Sequence, residues 1–161
     1  MSVNSVNRIV LTCPCCQVSK LDAAQYPYDI FLTAPAAIFN FADAVYSESL
    51  LKLIDTTPIT EITFIGNSDC MMIQHTLNKE VEQYEFKFQH KIRAIQKLND
   101  SPLKLIKRIC ENGFKELKNH PELSAKIEQK RIKLGIELVS TKNFQSLINY
   151  HPNLSIQNSI L

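Results

Sequence analysis

Cys13 and Cys70 each end an apolar, strand-like run and open a loop. The two contexts are Arg8-Ile-Val-Leu-Thr-Cys13-Pro-Cys15-Cys16-Gln17 and Glu61-Ile-Thr-Phe-Ile-Gly66-Asn67-Ser-Asp69-Cys70. Apolar runs that stop at a thiol, with a helix between them, predict two parallel strands delivering ligands to one crevice at their carboxyl ends. The chain has five cysteines, an odd number for a disulfide framework, and three of them crowd into positions 13–16. In a reducing compartment such a cluster serves metal or thiol chemistry rather than structural bridging. The bland alternative is that Cys13 and Cys70 are small buried residues at strand ends; the neighbouring Cys15 and Cys16 weigh against it. Cys110 lies on an apolar helix stripe and is expected in the core.

The elements that must position these thiols can be read from periodicity. Residues 8–13, 29–33, 60–66 and 132–139 predict strands. A helix is expected from about Ala36 to Ile54, stopped before Pro58. After Cys70, the apolar positions Ile73, Leu77, Val81, Tyr84, Phe88, Ile92 and Ile95 predict one long amphipathic helix. Asp69 is expected to cap it. Ser101-Pro102 starts the next helix, with the stripe Leu103, Ile106, Cys110, Phe114 and Leu117, although Gly113 weakens it by roughly 1 kcal/mol relative to Ala. His120-Pro121 opens a short last helix. Strand–helix alternation implies a single α/β domain whose four or five parallel strands are flanked by helices. That domain is expected over residues 1–152, with 153–161 as a loose or partner-docked tail.

Composition narrows the function classes. With 161 residues, one domain with a sizeable core is expected, and Lys+Arg 18 against Asp+Glu 16 leaves only +2, no polyelectrolyte signature for nucleic acid. No apolar run approaches a membrane span, and the polar start Met1-Ser-Val-Asn is no signal peptide, so a cytoplasmic location is expected.

The residues around the thiols resemble the β-class carbonic anhydrases, which carry Cys-x-Asp-x-Arg after one core strand and Gly-His-x-Asp-Cys after another. Cys13 and Cys70 match the two zinc cysteines of that family, and Gly66 and Asp69 match the second motif. Tyr28-Asp-Ile-Phe-Leu-Thr-Ala34 and Leu117-Lys-Asn-His-Pro-Glu-Leu-Ser-Ala-Lys-Ile127 resemble its second strand and late helix. The resemblance implies the strand order 2-1-3-4, a bound Zn2+, and a homodimer. For the dimer interface, Phe39, Phe41 and Tyr46 offer apolar surface on the helix after the second strand.

Three departures fall on the chemistry. Asn67 stands at the family's zinc histidine, Cys15 at its aspartate and Gln17 at its arginine. An amide oxygen is a poor zinc ligand, and without the arginine no cation orients bicarbonate. The resemblance together with these changes implies little or no CO2 hydration. Cys13, Cys15 and Cys70 could supply three thiolates to zinc, with Cys16 competing for Cys15's place and His75, one turn past Cys70, as a possible fourth ligand. Met71 and Met72 could fill the former substrate pocket. Two other classes stay open. Cys13-Pro14-Cys15-Cys16 contains a Cys-x-x-Cys that resembles the redox motif of glutaredoxins, although Pro58 is misplaced for their fold, so a thiol-redox protein is one. A metal-free pseudoenzyme scaffold acting by protein interaction is the other.

Overall fold

The computed structural model describes residues 7–18, 29–78, 87–142 and 145–152. Its strands are β1 (Asn7–Thr12), β2 (Ile30–Thr33), β3 (Ile59–Asn67), β4 (Lys133–Ser140) and β5 (Gln145–Tyr150). They form one sheet in the order β2-β1-β3-β4-β5. β1 pairs in parallel with β2 and β3, and β3 with β4, as the sequence predicts. Ile9, Val10, Leu11, Ile62, Phe64 and Ile65 are buried, which is the continuous apolar character of strands covered on both faces. β5 was not foreseen, and it runs antiparallel to β4, so the sheet is mixed rather than wholly parallel. The link from Ser140 to Gln145 is too short for a parallel crossover, which takes a dozen or more residues.

The helices are α1 (Ala44–Thr56), α2 (Met71–Leu77), α3 (Lys87–Ile95), α4 (Pro102–Asn119) and α5 (Pro121–Gln129). Two expected helices are shorter than their periodicity suggested. The stretch from Ala36 begins instead as a tight turn with Ala36 and Ala37 at φ 54 and φ 58, left-handed backbone that cannot enter an α-helix. Helix α1 starts only after Asp43, whose carboxylate accepts the Tyr46 N–H. The long helix after Cys70 stops at Asn78, which leaves helical angles at φ −80, ψ 106. A short amide side chain competes for backbone hydrogen bonds and favours such an ending. Val81, Tyr84, the side chain of Phe88 and the tail 153–161 lie outside the described residues.

Helix α4 is the element that props up the sheet behind the thiols. Ser101 caps it by accepting the Lys104 N–H, and His120 caps α5 by accepting the Leu123 N–H. The α4 stripe packs on β3, and Cys110 is fully buried there as expected. Gly66 on β3 lets it approach: an added Cβ would lie 2.7 Å from Ile106 Cγ1 and 2.9 Å from Cys110 Sγ. Gly113 has a similar role. The ring of Phe64 fills the space a Cβ would take, at 2.8 Å.

Helix propensity alone favours Gly113→Ala by about 1 kcal/mol. Overpacking against Phe64 costs about 1–3 kcal/mol, so the variant should be no more stable than the parent and is expected to be less stable. Urea unfolding of the two proteins measures this. A clear gain in stability would show that Phe64 moves aside without loss.

Candidate metal centre

The crevice is built by two strand ends that lie side by side. At the end of β1, Thr12 Oγ1 donates to the Ile65 carbonyl of β3 at 3.0 Å, in a buried position. Cys13 follows in extended backbone, and Pro14 starts a single 3-10 turn over Pro14–Cys16. The Cys16 N–H closes on the Cys13 carbonyl at 3.2 Å, which folds Cys15 and Cys16 back over Cys13. Gln17 ends the turn in left-handed backbone at φ 48. From β3, the Cys70 N–H donates to the Asn67 carbonyl at 3.1 Å, and Cys70 becomes the first residue outside α2.

Four sulfurs meet here. Cys15 Sγ lies 3.2 Å from Cys13 Sγ, 3.6 Å from Cys70 Sγ and 3.8 Å from Cys16 Sγ, and Cys70 and Cys13 are 3.8 Å apart. All four ligand atoms are within 4.8 Å of one another. A tetrahedral zinc with bonds of about 2.3 Å places its sulfurs about 3.8 Å apart. Three of the contacts are near that edge length, so the donor set fits a four-coordinate thiolate site without rebuilding either loop.

Charge is shared unequally among the sulfurs. Cys13 is held far below the ordinary thiol range, first by donation from the Cys16 thiol and then from Cys70, against the opposing effect of burial. The backbone N–H of Ala36 adds a donor to Cys13 Sγ at 3.2 Å. Cys16 is pushed up because it serves as donor to Cys13, and Cys70 is pushed up to about 12 for the same reason. A cation that binds all four must displace the protons that Cys16 and Cys70 hold.

Other residues singled out from the sequence take different places. Asn67 is buried, but its amide is committed to the loop: Oδ1 accepts the N–H groups of Asp69 at 3.0 Å and Thr141 at 3.3 Å, while Nδ2 donates to Thr141 Oγ1 at 2.8 Å. Gln17 and His75 are exposed, and His75 is not in the sulfur cluster. Asp69 does not cap α2, whose start at Cys70 has no side-chain cap. Its carboxylate reaches across to β4, accepting from Ser140 Oγ at 2.6 Å and the Lys142 N–H at 3.0 Å. Of the two methionines, Met72 faces the thiols, with Sδ 3.8 Å from Cys13 Sγ, whereas Met71 is 59% exposed. Ala36 was missed. A proline following a strand signals a turn there, but nothing in an alanine announces that its amide will serve a sulfur.

Burial opposes ionisation of Asp69, yet donation from Ser140 and the Lys142 backbone outweighs it and holds the carboxyl below its usual range. A lowered folded pKa adds stability above the unfolded value of about 3.9, and that stability is lost as pH falls through the folded one. Asp69→Asn should therefore cost about 1 kcal/mol at neutral pH after allowance for solvent screening. The gap to the parent should narrow as pH falls below the unfolded value, which a series of urea titrations from about pH 7 into acid would show. An equal loss at every pH would assign the effect to packing instead.

No family model and no curated protein sequence matches the chain. Solved structures do match it. A tetrameric β-carbonic anhydrase from Sordaria macrospora superposes with a TM-score of 0.70 at 12% identity, covering 91% of this chain and 83% of that one. The β-carbonic anhydrase CafD of Aspergillus fumigatus gives 0.66 at 12% identity, over 89% of this chain and 90% of that one. The Coccomyxa β-carbonic anhydrase in complex with acetazolamide gives 0.62 at 12% identity, over 91% and 74%. The chain thus has the β-carbonic anhydrase fold, as the residues around its thiols suggested. No described helix is long and apolar enough to cross a membrane.

Proposed function

We propose that this protein binds zinc through its remodelled cysteine site and has little or no CO2 hydration activity. The observation that carries the reading is the meeting of four sulfurs within 4.8 Å of one another, three of whose separations lie near a tetrahedral edge. Cys13 and Cys70 are the ligands on the two strand ends. Cys15 and Cys16, weighed from the sequence as alternatives for a third ligand, both reach the cluster. Four thiolates would give Zn2+ a net charge of −2 and leave no open position, which is the arrangement of a structural site. When bound, zinc would supply a cross-link between the loop after β1 and the loop before α2.

The chain's own residues support that role. Ala36 N–H steadies negative charge on Cys13. Asn67 holds the loop before Cys70 against Thr141, where the enzyme family would place an imidazole. Met72 lays an apolar thioether against Cys13 instead of leaving room for substrate. The exposed Gln17 offers no cation to bicarbonate.

A homodimer is part of the same proposal, on a different footing from the one the sequence suggested. Phe39 and Phe41 are buried and precede α1, both pack edge-on against Phe64, and the half-buried Tyr46 packs against the two of them. They belong to the core. The apolar surface left for a second copy includes Val45, 75% exposed, and Met71. Light scattering at tens of micromolar checks it, and a monomer would remove it. A cytoplasmic setting is proposed with this reading, because a crowded cysteine cluster serves metal chemistry in a reducing compartment.

Protein purified without chelators should contain about one zinc per chain by elemental analysis, and acidification should release it as the thiols reprotonate. A metal-free product would favour the scaffold reading. In a stopped-flow pH-indicator assay, the zinc-loaded protein should hydrate CO2 at the background rate. A rate well above background that Cys70→Ser abolishes would overturn the proposal. Adding Asn67→His, Cys15→Asp and Gln17→Arg together should still give no activity, because Met72 remains against Cys13 and the Thr141 contacts of Asn67 are lost.

A further inference from the structure

The four sulfurs of the cluster differ sharply in access. Cys13, Cys16 and Cys70 are 2%, 5% and 0% exposed, whereas Cys15 is only partly buried. It sits in the middle of the 3-10 turn, between the exposed Pro14 and the buried Cys16. Metal-bound thiolates all remain nucleophilic, so the order in which they meet a dissolved oxidant is set by exposure. The sulfur nearest to Cys15 is Cys13, at 3.2 Å.

We propose that Cys15 is the peroxide-reactive sulfur of this cluster, and that Cys13 resolves its oxidised form into a disulfide that expels the metal. The inference rests on the zinc reading above and adds a regulated state to it. In the first step the Cys15 thiolate attacks one oxygen of a hydroperoxide. The O–O bond breaks, Cys15 becomes a sulfenic acid, and hydroxide leaves (alkoxide, for an organic peroxide). In the second, the Cys13 thiolate attacks the Cys15 sulfur, the S–S bond forms and hydroxide departs. Each thiolate has given up one electron, the peroxide has accepted both, and two protons from solvent convert the departing anions to water or alcohol. Zinc keeps its oxidation state. It loses two of four ligands, and Cys16 and Cys70 take up protons as it leaves.

The alternatives to Cys13 are less favourable. Cys16 adjoins Cys15 in the chain, and neighbouring Cα atoms across a trans peptide are about 3.8 Å apart, shorter than the usual disulfide range of about 4.4–6.8 Å. Cys70 stands farther off, at 3.6 Å, on the opposite loop. Cys110 is fully buried under Gly66 and takes no part.

The test uses the purified full chain, its zinc counted first, treated with hydrogen peroxide. Released zinc is followed with a colorimetric chelator, and disulfides are mapped by peptide mass spectrometry. Zinc should be released in step with a Cys13–Cys15 disulfide. Cys15→Ser should slow the release by about tenfold or more, and Cys110→Ala should leave it unchanged. Limited alkylation of the unmutated, zinc-loaded protein needs no variant, and Cys15 should be labelled before the other three. Zinc retained while the thiols stay reduced would overturn the proposal, as would a disulfide joining another pair or earlier labelling of Cys16 or Cys70. If the protein is purified without zinc, the zinc reading fails by itself, and the disulfide map and labelling order still decide the thiol step.

Discussion

The parallel pairing of β1 with β3 is the constraint on which the site depends. Parallel strands end at the same edge of a sheet, so two loops remote in sequence leave together and their side chains can meet. The register is specific: Val10 lies opposite Thr63 and Leu11 opposite Phe64. The Thr12 hydroxyl then crosses to the Ile65 carbonyl within the core. A slip of one residue would turn every side chain of the strand to the other face, burying polar groups and carrying Cys13 away from Cys70. The close approach of α4, possible because Gly66 has no side chain, presses the same strand from behind. Core packing and site geometry are therefore one problem here.

Within that frame the loops determine the chemistry. A zinc site that works on water needs three protein ligands and an open fourth position. In the proposed zinc site a fourth sulfur would fill that position and add negative charge, which would make any approaching water less acidic. The commitment of Asn67 to Thr141 and of Asp69 to Ser140 points the same way. Both side chains, which match or replace polar positions of the enzyme motif, are engaged in holding β3 to the end of β4. Under the proposed zinc reading the fold is kept while the site is rebuilt, in line with function residing in the site and not in the scaffold.

Much of the sheet was legible because buried parallel strands carry a strong local signal. The apolar runs expected at 8–13 and 60–66 fall on β1 and β3, the cap at Ser101 lies where it was expected, and a short helix opens after His120. The errors have physical causes. Only Leu147, Ile148 and Tyr150 mark β5 as apolar, and an edge strand that is covered on few sides needs no stronger pattern. The early end of α2 at Asn78 was masked in the sequence by a run of periodic residues, and periodicity does not report where backbone hydrogen bonding stops. At the site, the crowding of cysteines was plain, but which sulfurs meet was not. That depends on the return of one short turn at Pro14 and on the direction of an alanine amide.

That alanine amide links strain to chemistry. Ala36 and Ala37 occupy left-handed backbone that costs an L-residue about 1–2 kcal/mol each, and no glycine stands there to relieve it. Such strain persists only where surrounding contacts over-determine it. Here the Ala34 N–H is tied to the Thr12 carbonyl at one end of the turn, and Phe39 and Phe41 are buried against Phe64 at the other. Between these anchors the Ala36 N–H has been turned toward Cys13 Sγ. A buried thiolate without a donor would be heavily penalised, so the aromatic core beneath α1 helps to keep the first sulfur of the cluster charged. The cluster, the strained turn and the Phe64 packing that also requires Gly113 form one connected unit. Rearranging the sulfurs would therefore be felt in the turn, and through it in the core.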